Sequence, residues 1–172
     1  MKMVGFIEKR PSAFSKGVFA PSAAVFLPIS NSTETRRMPA SFFDTNVLVY
    51  IASGDAAKAD RAEAVVAAGG AISVQVLNEI TNIARRKMKM SWTDTHAFLN
   101  MLRSLLTVHS LTVEIHETAL RLAERYGFST YDAMIAASAL YASCDTLWSE
   151  DMQHGMALDE GLRIVNPFHV TG

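Results

Sequence analysis

The sequence predicts an α/β protein, a three-layer α/β/α sandwich around a mainly parallel central sheet. One observation carries this. Short apolar runs of strand length alternate with longer segments of helical period throughout residues 38–172. That alternation builds parallel sheets, because parallel neighbours need a crossover between them. Such crossovers are right-handed, and ligands bind in the crevice outside the carboxyl ends of the strands.

The first strand is expected at Ser41–Phe43, with Phe42 and Phe43 buried, and Asp44 follows it directly. Asp55 caps "AAKADRAEAVVAA", a strong helix former that stops at Gly69-Gly70. Ala71–Val74 reads as the second strand. "QVLNEITNIARRKM" then carries apolar residues at 76, 77, 80, 83 and 84, the spacing of one helix face. Ser91 and Asp94 form a capping box for the next helix, whose apolar face is Ala97, Phe98, Met101, Leu102 and Leu105. "VHSLTV" is the third strand candidate. Ile115, Ala119, Leu122, Ala123 and Tyr126 mark a further amphipathic helix ending at Gly127. "STYDAMIAASALYA" is apolar on nearly all sides, which predicts a buried helix. "DTLW" and "LRIV" supply the last two strands.

The 172 residues suit one domain with a full core, at 49% hydrophobic and 19% charged composition. No stretch has the length and apolarity of a membrane span. One cysteine, Cys144, rules out a disulfide framework and points to a reducing, cytoplasmic setting. Charge is split along the chain. Residues 1–37 hold six of the 16 Lys/Arg and two of the 17 Asp/Glu, so residues 38–172 carry ten against 15, a net of −5. A binder relying on a broad basic face is excluded for this region, so a phosphate substrate there needs a metal or a local basic patch.

Residues 1–37 lack any helical or strand period and are interrupted by Pro11, Pro21 and Pro28. A secretory signal fits poorly, because proline breaks its apolar part and no cleavage site is clear. A basic, acid-poor transit peptide is a second reading. The third, preferred here, is upstream sequence with no folded role: a disordered extension, with Met38 opening the domain at "MPASFFDTN".

Four acids fall at strand ends or helix starts. Asp44 follows the first strand and Asp151 follows "DTLW". Asp132 lies at the start of the buried helix, and Glu79 lies in the helix after the second strand. Each has a plain structural reading. Asp44 alone is a turn or N-cap residue, and Ser129-x-x-Asp132 is a capping box whose acid also suits the helix dipole. Glu79 sits about 100° from Ile80, on the margin of the apolar stripe, and Asp151 beside Glu150 is loop polarity. Together they say more. Four carboxylates converging in one crevice need a counter-charge, and oxygen-only donors favour Mg²⁺ or Mn²⁺ over zinc.

"FFDTNVLVY", the Glu in "VLNEI", "TYDAMIAASA" and "LWSEDM" together resemble the PIN domain family, and within it the VapC-type toxins of bacterial toxin–antitoxin pairs. The resemblance covers about residues 40–168. It implies a metal-dependent endoribonuclease in which Asp44, Glu79, Asp132 and Asp151 are the metal-holding, catalytic acids. Asn46 fits the family's D-x-N opening, its amide tying the site together. Ser149 stands where a threonine is usual and keeps the hydroxyl. The implied reaction is in-line hydrolysis of an RNA phosphodiester with one or two Mg²⁺ ions, leaving 5′-phosphate and 3′-hydroxyl ends. The family further implies homodimers and an antitoxin partner, for which Met88, Met90 and Met101 offer apolar surface.

The dense basic run "ARRKMKM" has cations that suit a helix C-terminus. Arg86 lies seven residues beyond Glu79, about 10 Å along the same face, and is the candidate contact to RNA phosphate. His116-Glu117 lacks the second histidine of a zincin, and His154 reads as a surface loop residue. Two rivals remain: a strand-end aspartate phosphatase, weakened because Asn46 stands where a second acid is required, and a non-catalytic PIN-like partner-binding module.

Overall fold

The computed structural model describes residues 40–169; the expected extension 1–37 lies outside them. Five strands run β1 Ser41–Phe43, β2 Ala71–Ser73, β3 Thr107–His109, β4 Thr146–Trp148 and β5 Arg163–Val165. All neighbours pair in parallel, in the order β3-β2-β1-β4-β5. Six helices flank the sheet: α1 Thr45–Leu48, α2 Ala56–Val66, α3 Val74–Arg86, α4 Trp92–Leu105, α5 Val113–Tyr126 and α6 Thr130–Tyr141. Among the described residues no helix is long and apolar enough to cross a membrane.

The strand order explains where a site can form. From β1 the chain steps outward through β2 to β3, then returns to lay β4 on the other side of β1. The crossover direction therefore reverses between β1 and β4, and a crevice opens at their carboxyl ends. β1 and β4 are in register from Ser41↔Thr146 to Phe43↔Trp148. The Asp44 N–H extends that ladder by donating to the Trp148 carbonyl at 2.9 Å. Phe42, Phe43, Ile72, Leu147 and Ile164 fill the sheet's core, with Val76 and Ile80 of α3 against them. In α6, Ala133 and every residue from Ile135 to Leu140 are buried, as an all-round apolar helix requires.

Two elements depart from the sequence pattern. The apolar run after Asp44 is neither strand nor loop: it forms α1 and a 3-10 turn, Val49–Ala52. The third strand is Thr107–His109 rather than residues 108–113, because the Thr112 hydroxyl accepts from the Ile115 N–H and starts α5. Gly70 has a tighter reason to be glycine than ending a helix. At φ +152 its absent Cβ would lie 2.6 Å from both the Phe43 ring and the Ser41 carbonyl oxygen. The chain can pass β1 this closely only without a side chain.

Candidate active site

Asp44 caps α1 and also lines the crevice, so both readings of it from sequence meet in one side chain. Its backbone is extended, and Oδ1 accepts from the Thr45 N–H at 2.6 Å. Oδ2 accepts from Asn46 Nδ2 at 2.9 Å and from Ser149 Oγ at 2.7 Å. Asn46 reaches across the switch point. Its Nδ2 also donates to Ser149 Oγ at 3.3 Å, and its Oδ1 accepts from the Glu150 N–H at 3.1 Å. One amide thus fastens the segment after β1 to the segment after β4.

The four acids named from sequence line one cleft of about 370 Å³, together with Glu150. Asp44 is 3% exposed, Glu79 and Asp132 are half-buried, and Asp151 is exposed. Glu79 Oε1 accepts from Gln75 Nε2 at 2.7 Å, one turn earlier on α3. Asp132 is the third residue of α6: its N–H donates to Ser129 Oγ at 3.2 Å, while that hydroxyl donates to Asp132 Oδ2 at 2.7 Å. Among the described residues no three His, Cys, Asp or Glu side chains converge as a ready metal-holding group. The neighbours just named hold Glu79 and Asp132 instead.

Burial is the main force on Asp44. It raises the carboxyl to about 7; the bonds from Ser149 and Thr45 pull the other way, and the charges of Glu79 and Asp132 add to the rise. A cation beside these groups would remove that penalty. The donor set is entirely oxygen, which suits a hard divalent ion. Thr45, which also lines the cleft, has a buried Oγ1 with no hydrogen-bond partner among the described residues. On these grounds the residues fit such an ion.

Arg86 is exposed and lies outside the cleft wall; Lys87 lines it. The cleft crosses α3 along Glu79, Ile83 and Lys87, an i+4 row inclined to the helix axis. A seven-residue step instead keeps to the axis, and so reaches Arg86. Of the methionines considered for partner packing, Met88 lines the cleft and Met101 packs on the core. The sequence reading also gave no role to Lys58, which ion-pairs with Glu150 and donates to the Tyr50 hydroxyl at 2.8 Å. No local signal marks that pair, since 92 residues separate its members.

With this geometry in view, a family model described as "PIN domain" matches residues 41–155. The chain belongs to the PIN domain family. PIN domains are nuclease-like as a family, and their nucleases generally use divalent metal ions. No curated protein matches by sequence. Among solved structures, a toxin–antitoxin complex from Klebsiella pneumoniae is 22% identical, with a TM-score of 0.59, covering 76% of this chain and 100% of that one. FitAcB from Neisseria gonorrhoeae is 16% identical at 0.51, covering 76% and 99%. VapBC2 from Rickettsia felis, bound to a promoter DNA fragment, is 21% identical at 0.50, covering 64% and 87%. At these identities the likeness is one of fold.

Proposed function

We propose that this PIN domain is a Mg²⁺- or Mn²⁺-dependent endoribonuclease, the toxin of a pair restrained by a cognate antitoxin. The observation that carries the reading is the lining of one cleft by Asp44, Glu79, Asp132 and Asp151, brought from four separate segments to the switch point of the sheet. The toxin assignment draws on the VapC-type motifs and on the toxin–antitoxin complex of like fold from Klebsiella pneumoniae.

Asp44, Glu79, Asp132 and Asp151 would hold one or two ions. Bound there, the ion supplies Lewis acidity, offsetting phosphate charge and making water a competent nucleophile near neutral pH. The chain's own groups do the positioning. Asn46 and Ser149 fix Asp44 Oδ2 and bar the carboxylate from turning. The Gln75 and Ser129 bonds hold Glu79 and Asp132 in the cleft wall. Lys87 in the wall, with Arg86 beside it at the end of α3, attracts the flanking backbone phosphates.

The test is purified protein mixed with structured RNA in Mg²⁺ or Mn²⁺, with and without EDTA. Cleavage that EDTA and Asp44→Asn each abolish is expected. Cleavage indifferent to both would overturn the assignment.

A further inference from the structure

A second groove, of about 580 Å³, adjoins the acidic cleft and shares Glu79, Ile83 and Asp132 with it. Its chemistry differs. Gln75, Asn78 and Asn82 line it from α3, spaced by three and then four residues, so they form one face about 10 Å long. From the far side α6 contributes Tyr131, 65% exposed. Among the described residues no lysine or arginine lines it.

The carboxylates of Glu79 and Asp132 in its wall, with no cation beside them among the described lining residues, select against a phosphate. The groove suits a flat, uncharged group with hydrogen-bond donors and acceptors along its edge. A carboxamide offers both at once and pairs with base edges, while an exposed tyrosine ring is a stacking surface for a base. A duplex keeps its bases stacked and paired, so such a groove can take only an unpaired base. We infer that the groove between α3 and α6 seats the unpaired base of a nucleotide next to the scissile phosphate, with Tyr131 stacking on it and Asn78 and Asn82 reading its edge. This rests on the nuclease reading: the shared wall of Glu79 and Asp132 joins base and phosphate in one path. It places the sequence preference on α3.

The experiment uses the full chain with Mg²⁺ and a random-sequence single-stranded RNA pool, sequencing the cut ends. Wild type, Asn78→Ala/Asn82→Ala, Tyr131→Ala and Tyr131→Phe are compared, each first checked by thermal melting. Wild type should show a base preference at a position adjoining the cut. The double variant should flatten it by about tenfold or more. Tyr131→Ala should raise KM by roughly tenfold with kcat little changed, and Tyr131→Phe should restore it, since only the ring is needed. Melting like wild type is expected of all three, because these side chains are exposed. Folded variants that cut with the wild-type base pattern and KM overturn the base-binding role and leave the groove to a partner's peptide. A wild-type protein that cuts no RNA in Mg²⁺ or Mn²⁺ overturns the nuclease reading and this one with it.

Discussion

Replacing Asp44 with asparagine separates the chemical from the architectural role of that side chain. In the metal-free native state Asp44 holds its proton up to a pH of about 7, against 3.8 for an ordinary aspartate. Between those values the unfolded chain binds fewer protons than the native one. Stability therefore falls as pH rises from about 4 to about 7 and levels off above. Across the whole window the penalty is on the order of 4 kcal/mol, and roughly 3 kcal/mol of it develops between pH 5 and pH 8. The substituted carboxamide cannot ionise and escapes this penalty. It keeps the cap, since its oxygen can still accept from Thr45, but its NH₂ would face Asn46 Nδ2, donor against donor. Asn46 cannot turn to help, because its Oδ1 is committed to Glu150. That mismatch costs about 1–2 kcal/mol at any pH.

In EDTA the variant should therefore melt slightly below wild type at pH 5 and at or above it at pH 8. The gap between the two melting curves should move by about 10 °C. Metal-dependent cleavage should be lost by at least about a hundredfold. Paired thermal melts at the two pH values, read beside an RNA cleavage gel, measure all three. A variant melting far below wild type at both pH values would return Asp44 to a purely structural role. A gap that does not move with pH would refute the buried-carboxylate argument.

Gly70→Ala should lower stability by about 1–3 kcal/mol through backbone strain, and by more if β1 must shift to clear the new methyl, which calorimetry will detect. Cleavage should fall as well, because Asp44 directly follows β1; an unchanged melt would show the contact to be soft. Ser129→Ala removes the α6 cap, at about 1 kcal/mol, and frees Asp132. Its metal titration should differ from that of wild type, and an identical titration would mean the serine does not hold the acid. Lys87→Ala should weaken RNA binding more than Arg86→Ala and reduce the salt slope by about one ion; equal losses would favour a diffuse basic end over a cleft contact.

The helices were legible because their signals are local. Asp55, Ser91 and Ser129 each accept the expected backbone N–H, and the periodic faces of α3 and α5 are the buried ones. α1 was not, since four residues give no period to read. The third strand ran too long on paper because "VHSLTV" alternates like a strand, while Thr112 had a better use as a cap. Asp44, Asp132 and Asp151 could be named in advance because each follows a strand or opens a helix; Glu79, the sixth residue of α3, stands out only as an acid on the margin of an apolar stripe. The Ser129–Asp132 pair was legible as a capping box, but the Gln75 tether of Glu79 was hidden, as was the slope of the cleft across α3. Those depend on side-chain packing that no pattern of residue types encodes.

The hydrogen bond from Ser149 to Asp44 spans 105 residues of chain. β4, which completes the middle of the sheet, ends at Trp148. Chains emerge from the ribosome from the N-terminus at roughly 5–20 residues per second. A nascent chain that has presented Asp44 therefore waits several seconds before Ser149 and Asp151 can join it. Throughout that interval the cleft lacks its β4 side, so a truncated or stalled product ending before β4 leaves Asp44 without the hydroxyl that holds it.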